Sequence, residues 1–98
     1  MSPPTAIKFK FRLYVAGDTQ NSMQALANLR KFCQTYLEYT YEIEVLDVFK
    51  EPCQTLDDGI FMTPTLVKLS PFPVLKIVGT LSQTEIILQA LGLDARTE

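Results

Sequence analysis

Between Ile7 and Val15 every second residue is apolar: Ile7, Phe9, Phe11, Leu13 and Val15 alternate with Lys8, Lys10, Arg12 and Tyr14. A period of two sends successive side chains to opposite faces of a strand, so one face is committed to a core. The other face carries three cations and a tyrosine. Gly17 and Asp18 stop the strand, and a polar run to Ser22 hands over to a helical pattern. The chain therefore begins as strand, short turn and helix. An enzyme built on this plan would keep its nucleophile in that turn, which here reads Gly17-Asp18-Thr19-Gln20-Asn21-Ser22.

Met23, Leu26, Leu29, Cys33, Tyr36 and Leu37 recur at intervals of three and four, which predicts an amphipathic helix from about Ser22 to Glu38, capped by Asn21 or Ser22. Gln24, Asn28, Arg30, Lys31, Gln34 and Glu38 fall on its solvated side. Tyr41–Val48 reads as a second strand, and strand-helix-strand is a right-handed parallel crossover. Pairing it with the first strand sets Glu42 and Glu44 near Lys8, Lys10 or Arg12, at a few tenths of a kcal/mol per opposite-charge neighbour.

Pro52 opens a short helix whose apolar side is Leu56, Ile60 and Phe61, with Gly59 weakening or ending it. Pro64 cannot donate to a sheet ladder and belongs at the start of the strand that runs to Leu69. Ser70-Pro71-Phe72-Pro73 is a turn, and Val74–Gly79 returns antiparallel. Ser82-Gln83-Thr84-Glu85 has the form of a capping box; Ile86, Ile87, Leu88, Ala90 and Leu91 fill the helix after it, and Gly92 supplies a left-handed stop. The order is βαβαββα: an α/β fold with a mixed four-stranded sheet, one domain over residues 1–98, with 1–6 and 93–98 expected to be flexible.

Composition narrows the chemistry. With 47% hydrophobic and 20% charged residues, a chain of 98 can build a core without disulfides or a metal. A net charge of -2 gives no general attraction to nucleic acid or an anionic membrane. Histidine is absent, which removes the commonest general base and metal ligand, so Ser/His/Asp and Cys/His machinery cannot be assembled. Cys33 and Cys53 lie outside any C-x-x-C spacing and read first as buried or idle thiols, with redox work as the alternative. Met1 to Thr5 does not look like a secretory leader, and no apolar run approaches the roughly 20 residues that span a bilayer, so a soluble cytoplasmic protein without cofactor is expected.

The element order resembles the thioredoxin-like arrangement, and Met62-Thr63-Pro64-Thr65 is similar to the segment where such proteins hold a cis-proline. Thioredoxins carry their redox cysteines where the first strand meets the first helix; this chain has none there. A closer resemblance lies in Leu13-Tyr14-Val15-Ala16-Gly17 with Thr19, Asn21 and Ser22, Leu46-Asp47-Val48 with Pro52, Thr63 to Lys68, and Gly79 with Leu81-Ser82. Together these resemble the KaiB family of circadian-clock proteins from about residue 8 to residue 92. The resemblance implies no catalytic activity. It implies docking on the ATPase ring of KaiC, recruitment of KaiA or a histidine-kinase domain, and two folds of one chain: a tetrameric ground state with a rearranged C-terminal half, and a monomeric thioredoxin-like state that binds.

Several positions depart from the family pattern. Ala90 and Gly92 stand where clock members carry glycine and aspartate, and both changes favour the thioredoxin-like state. Glu42 and Glu44 replace apolar or basic residues on the edge offered to KaiA, which is expected to repel a KaiA-type partner. Gly59 replaces a lysine on the helix that faces KaiC, and Leu75 and Lys76 replace paired arginines. The implied reading is a divergent adaptor for a KaiC-like ATPase or a signalling kinase, monomeric or dimeric with a tetramer as the other assembly. Its contact residues would be Glu42, Glu44, Asp47, Pro52, Gly59 and Phe61. A thiol-dependent oxidoreductase using Cys33 or Cys53 is the alternative from a different class.

Overall fold

The alternating stretch forms β1 (Phe9–Val15), a strand interior to the sheet of the computed structural model, which describes residues 8–37 and 40–93. The chain continues through α1 (Gln20–Tyr36), β2 (Tyr41–Asp47), α2 (Pro52–Asp57), β3 (Thr65–Ser70), β4 (Leu75–Val78) and α3 (Thr84–Ala90). The sheet order is β2-β1-β3-β4, with β2 parallel to β1 and both later pairings antiparallel. This is the expected βαβαββα fold in its thioredoxin-like form. The segment from Thr84 is helical.

Register decides which face each residue serves. Phe9, Phe11, Leu13 and Val15 meet Ala25, Leu29, Phe32 and Cys33 of α1 and Ile87, Leu88 and Leu91 from α3 and its end, forming the main core. The opposite face is thinner: buried Tyr14, Ile60 and Val67 with partly buried Leu46, Val48 and Leu69. α2 belongs to that face and has no buried residue of its own.

Local readings on all three helices need correction. The buried stripe of α1 is Ser22, Ala25, Leu29, Phe32 and Cys33, while Met23 and Tyr36 are exposed. Small residues lie closest to the sheet, and a search for large apolar side chains skips them. α1 starts two residues early, with Thr19 at its N-cap, so neither Asn21 nor Ser22 caps it. Ser22 instead lies buried inside the first turn.

On α2, Leu56 and Phe61 do not form a buried side; only Ile60, beyond the helix, is buried. At α3 the capping box is unmade: Gln83 is the N-cap, no side chain caps the helix, and Ser82 Oγ accepts only a 3.4 Å bond from the Thr80 hydroxyl. Leu81 explains this, since its side chain is buried at a φ of 63° and the chain approaches α3 from a left-handed turn. Asn28 Nδ2 holds that turn by donating to Thr80 O at 2.8 Å.

Gly59 (φ 69°) and Gly92 (φ 76°) end their helices as expected, and the Thr63–Pro64 peptide is cis, as are Ser70–Pro71 and Phe72–Pro73. α1 ends at Tyr36, short of the expected Glu38, which lies outside the described residues. Of the stretches expected to be flexible, 1–6 and 94–98 also lie outside them, while Leu93 packs against the core.

Candidate functional site

The turn from Ala16 to Ser22 closes on itself. Ser22 Oγ accepts from the Ala16 N–H at 3.1 Å and from the Thr19 hydroxyl at 3.0 Å. Asp47 Oδ1, arriving from the end of β2, accepts from Gly17 N–H at 3.3 Å and Phe49 N–H at 2.9 Å. These polar side chains are thus engaged in holding two loops together. Cys33 faces the core, where burial pushes its thiol up to about 12, and Cys53 is exposed on α2. At neutral pH a thiol so raised is almost wholly protonated, and the protonated form is a poor nucleophile.

A second arrangement lies on the thin face. β2 is an edge strand whose Glu42 and Glu44 stand opposite Lys10 and Arg12 in register. Lys8 Nζ donates to Glu42 at 3.1 Å, and Arg12 Nε donates to Glu44 at 2.9 Å. The first pair is solvent-exposed and contributes about 0.2–1 kcal/mol at most. Arg12 does more. Its Nη1 also donates to Asp58 Oδ2 at 2.9 Å, and that same oxygen accepts from the hydroxyl of fully buried Tyr14. The Tyr14 hydroxyl lies 3.3 Å from Gln54 O as well.

These contacts hold α2 against the sheet in place of apolar packing. Asp58 is the C-cap of α2, where a negative charge opposes the helix dipole and no basic residue occupies the last turn. Burial alone would raise the Asp58 carboxyl, but the hydrogen bonds from Tyr14 and Arg12 outweigh it and hold it below the usual carboxylate range. Burial first, and then the Asp58 carboxylate, push the Tyr14 hydroxyl up to about 12. Burial works against the Arg12 cation too, yet its two carboxylates overcome this and raise its pKa. Lys76 approaches from β4: a Cβ built on Gly59 would lie 3.2 Å from Lys76 Nζ.

With α2 held by polar contacts, Leu56 on it and Phe49 and Phe61, which flank it in sequence, face outward. Phe49 is 75% exposed, Leu56 74% and Phe61 91%, and Met62 is exposed beside them in sequence. These side chains lie outside the small core of this face, which takes in Ile60.

The expected contact residues separate into two groups. Glu42 and Glu44 are exposed on the edge strand, and Asp47 at its end is tied into the loops. Pro52 begins α2, Gly59 follows its cap, and Phe61 lies just beyond. Arg12 joins the groups by binding both Glu44 and Asp58. Ala90 and Gly92 sit at the end of α3, which packs on the opposite side of the sheet. Arg12, Tyr14 and Asp58 were missed as a unit. The available signal was Tyr14, the one uncharged side chain on the cationic face of β1.

Comparison with known proteins identifies this architecture. The KaiB domain profile matches residues 12–93. The chain belongs to the KaiB family. It is 48% identical over 83 residues to the circadian clock oscillator protein KaiB of Prochlorococcus marinus, covering 85% of this chain and 69% of that protein. It is 42% identical over 83 residues to the circadian clock protein KaiB3 of Synechocystis, covering 85% and 79%. Among solved structures, the N-terminal domain of SasA from Synechococcus elongatus has a TM-score of 0.75 at 18% identity, covering 100% of this chain and 97% of that one. The Drosophila melanogaster thioredoxin Deadhead has a TM-score of 0.67 at 15% identity, covering 87% and 79%. At such identities these two establish the fold. Among the described residues of this KaiB-family chain, no helix is long and apolar enough to cross a membrane.

Proposed function

We propose that this KaiB-family chain is a non-enzymatic clock adaptor that docks on a KaiC-type ATPase ring or a related signalling kinase. The observation that carries this reading is α2: it buries none of its side chains, and it is flanked by Phe49 and Phe61, both largely in solvent. Its curated relatives are named circadian clock proteins, and that supports the clock setting. Binding uses α2 with Pro52, Leu56, Gly59 and Phe61, and the edge strand β2 with Glu42, Glu44 and Asp47 supplies a second contact. Glu42 and Glu44, in place of apolar or basic residues on this edge, disfavour a KaiA-type partner, and pairing with Lys8 and Arg12 offsets part of that charge.

The oxidoreductase alternative finds little support. The turn at Gly17–Ser22 has no thiol, Cys33 is buried with a raised pKa, and Cys53 sits on another element. The test is co-elution with a KaiC-type ring in the presence of nucleotide. The wild type is expected to move with the ring, and Phe61→Ser with Leu56→Ser to elute alone as a folded monomer or dimer. Failure of the wild type to co-elute with any cognate ring sinks the adaptor reading. Insulin reduction that disappears in a double Cys→Ser variant would favour the alternative.

A further inference from the structure

Arg12 is the sole side chain that touches both candidate contact surfaces among the described hydrogen bonds. Its Nε serves Glu44 on the outer strand and its Nη1 serves Asp58 at the end of α2, each at 2.9 Å. The two carboxylates differ in freedom. Glu44 is about half exposed and can be drawn outward, whereas Arg12 and Asp58 are each about four-fifths buried. α2 has no buried side chain of its own, so between its start and buried Ile60 its side-chain and carbonyl contacts with the sheet are those of Asp58 and Gln54 with Arg12 and Tyr14.

We propose that Arg12 is a positioning residue that couples the edge strand to α2: drawing Glu44 away from Arg12 tightens α2 against the sheet. One cation divided between two anions binds each less well than it would bind one alone, and the anions repel each other across it. A cationic group arriving at the edge and taking Glu44 leaves Arg12 to Asp58 entirely. A partially buried site weights this exchange more heavily than a fully solvated pair would. By linkage the effect is reciprocal, so whatever holds α2 tighter against the sheet makes Glu44 easier to withdraw. The proposal takes β2 and α2 as the contact surfaces of the adaptor reading, but its test needs no partner and can fail independently of that reading.

The neighbourhood holds other charges that a measurement must separate. Lys10 stands opposite Glu42, Lys8 pairs with Glu42, and Lys76 approaches Gly59 beside Asp58. Glu44→Gln removes the edge charge while keeping the side chain's size. Two readouts then report on α2, some distance along the chain: amide exchange over residues 53–60, and the titration midpoint of the Asp58 carboxyl followed by NMR. In Glu44→Gln the α2 amides are expected to exchange about two- to fivefold more slowly, the range spanned by ion-pair energies, and the Asp58 midpoint to fall further. Glu42→Gln, whose partner is Lys8, is expected to leave both unchanged. In an Arg12→Gln background Glu44→Gln is expected to have no effect on α2, even if that background is less stable. Unchanged α2 exchange and an unchanged Asp58 midpoint in Glu44→Gln would mean two independent pairs and overturn the coupling. Faster exchange would overturn it too, since Glu44 would then be needed to orient Arg12.

Discussion

Asp58 accepts from both Arg12 and Tyr14, which ties the end of α2 to β1. Its carboxyl is held below the usual range, so folding gains from its ionised form. The sign follows from linkage: with the folded pKa depressed, the contribution is complete above the unfolded carboxylate value of about 3.9 and is lost as pH falls through the folded value. Asp58→Asn is therefore expected to be less stable than the wild type at pH 7. The gap should narrow as pH drops below about 4, measured by urea denaturation across the acid range. A gap that stays constant into acid would show that the charge of Asp58 is not what stabilises it.

Tyr14 behaves in the opposite sense, because its folded pKa is raised to about 12. Its protonated form stabilises the fold fully below the unfolded tyrosine pKa of about 10, and that stability is lost as pH rises through the folded value. Tyr14→Phe is expected to flatten the alkaline limb of the stability profile. Neither residue was legible from the sequence as a partner of the other. The alternation that revealed β1 says which face Tyr14 occupies, but a contact between residues 14 and 58 is made by the crossover that brings α2 under that face, and no local pattern encodes it.

At the scale of elements, the sequence was most informative where one period dominates. β1, the parallel pairing of β2, and the facing of Glu42 and Glu44 by Lys8 and Arg12 all follow from alternation and charge. The helices were placed correctly but faced less well. In α1, Ser22 and Ala25 contribute to the buried stripe although neither is a large hydrophobe. In α2, Leu56 and Phe61 were assigned inward by the expectation that apolar residues seek a core, and the six-residue helix is attached by polar contacts instead.

The capping motif of α3 gives a direct test of the difference between a local pattern and its realisation. A functioning serine cap loses about 0.5–2 kcal/mol on replacement by alanine. Here Ser82 does not cap, so Ser82→Ala is expected to shift the thermal midpoint by no more than an ordinary surface change. Asn28→Ala is expected to cost more, because it releases the carbonyl of Thr80 beside the left-handed Leu81. A larger loss for Ser82→Ala than for Asn28→Ala in parallel thermal melts would restore the capping box.

For the whole molecule, the two faces of the sheet are covered unequally. α1 and α3 close a continuous core over one face, while the other is covered only in part and presents α2. Holding the C-terminal end of the first face helical is then a condition for this fold as a whole. Ala90 is the last residue of α3, and Gly92 follows the cap at a φ of 76°, where a Cβ would meet no atom within 4 Å. Space is therefore no obstacle to a side chain at residue 92; the cost is the left-handed backbone, about 1 kcal/mol for a residue that tolerates it poorly. Ala90→Gly adds about 1 kcal/mol or less near a helix end. The double variant Ala90→Gly with Gly92→Asp is thus expected to lose about 1–2 kcal/mol, or roughly 4–16 °C of thermal midpoint for a domain of this size. Circular dichroism during the melt distinguishes the outcomes. Loss of midpoint with an unchanged folded spectrum means that both residues only stabilise this fold. A folded spectrum with less helix and more strand, together with a larger species in size-exclusion chromatography, means that they also select it over a rearranged one. An unchanged midpoint would show that neither residue bears on the fold.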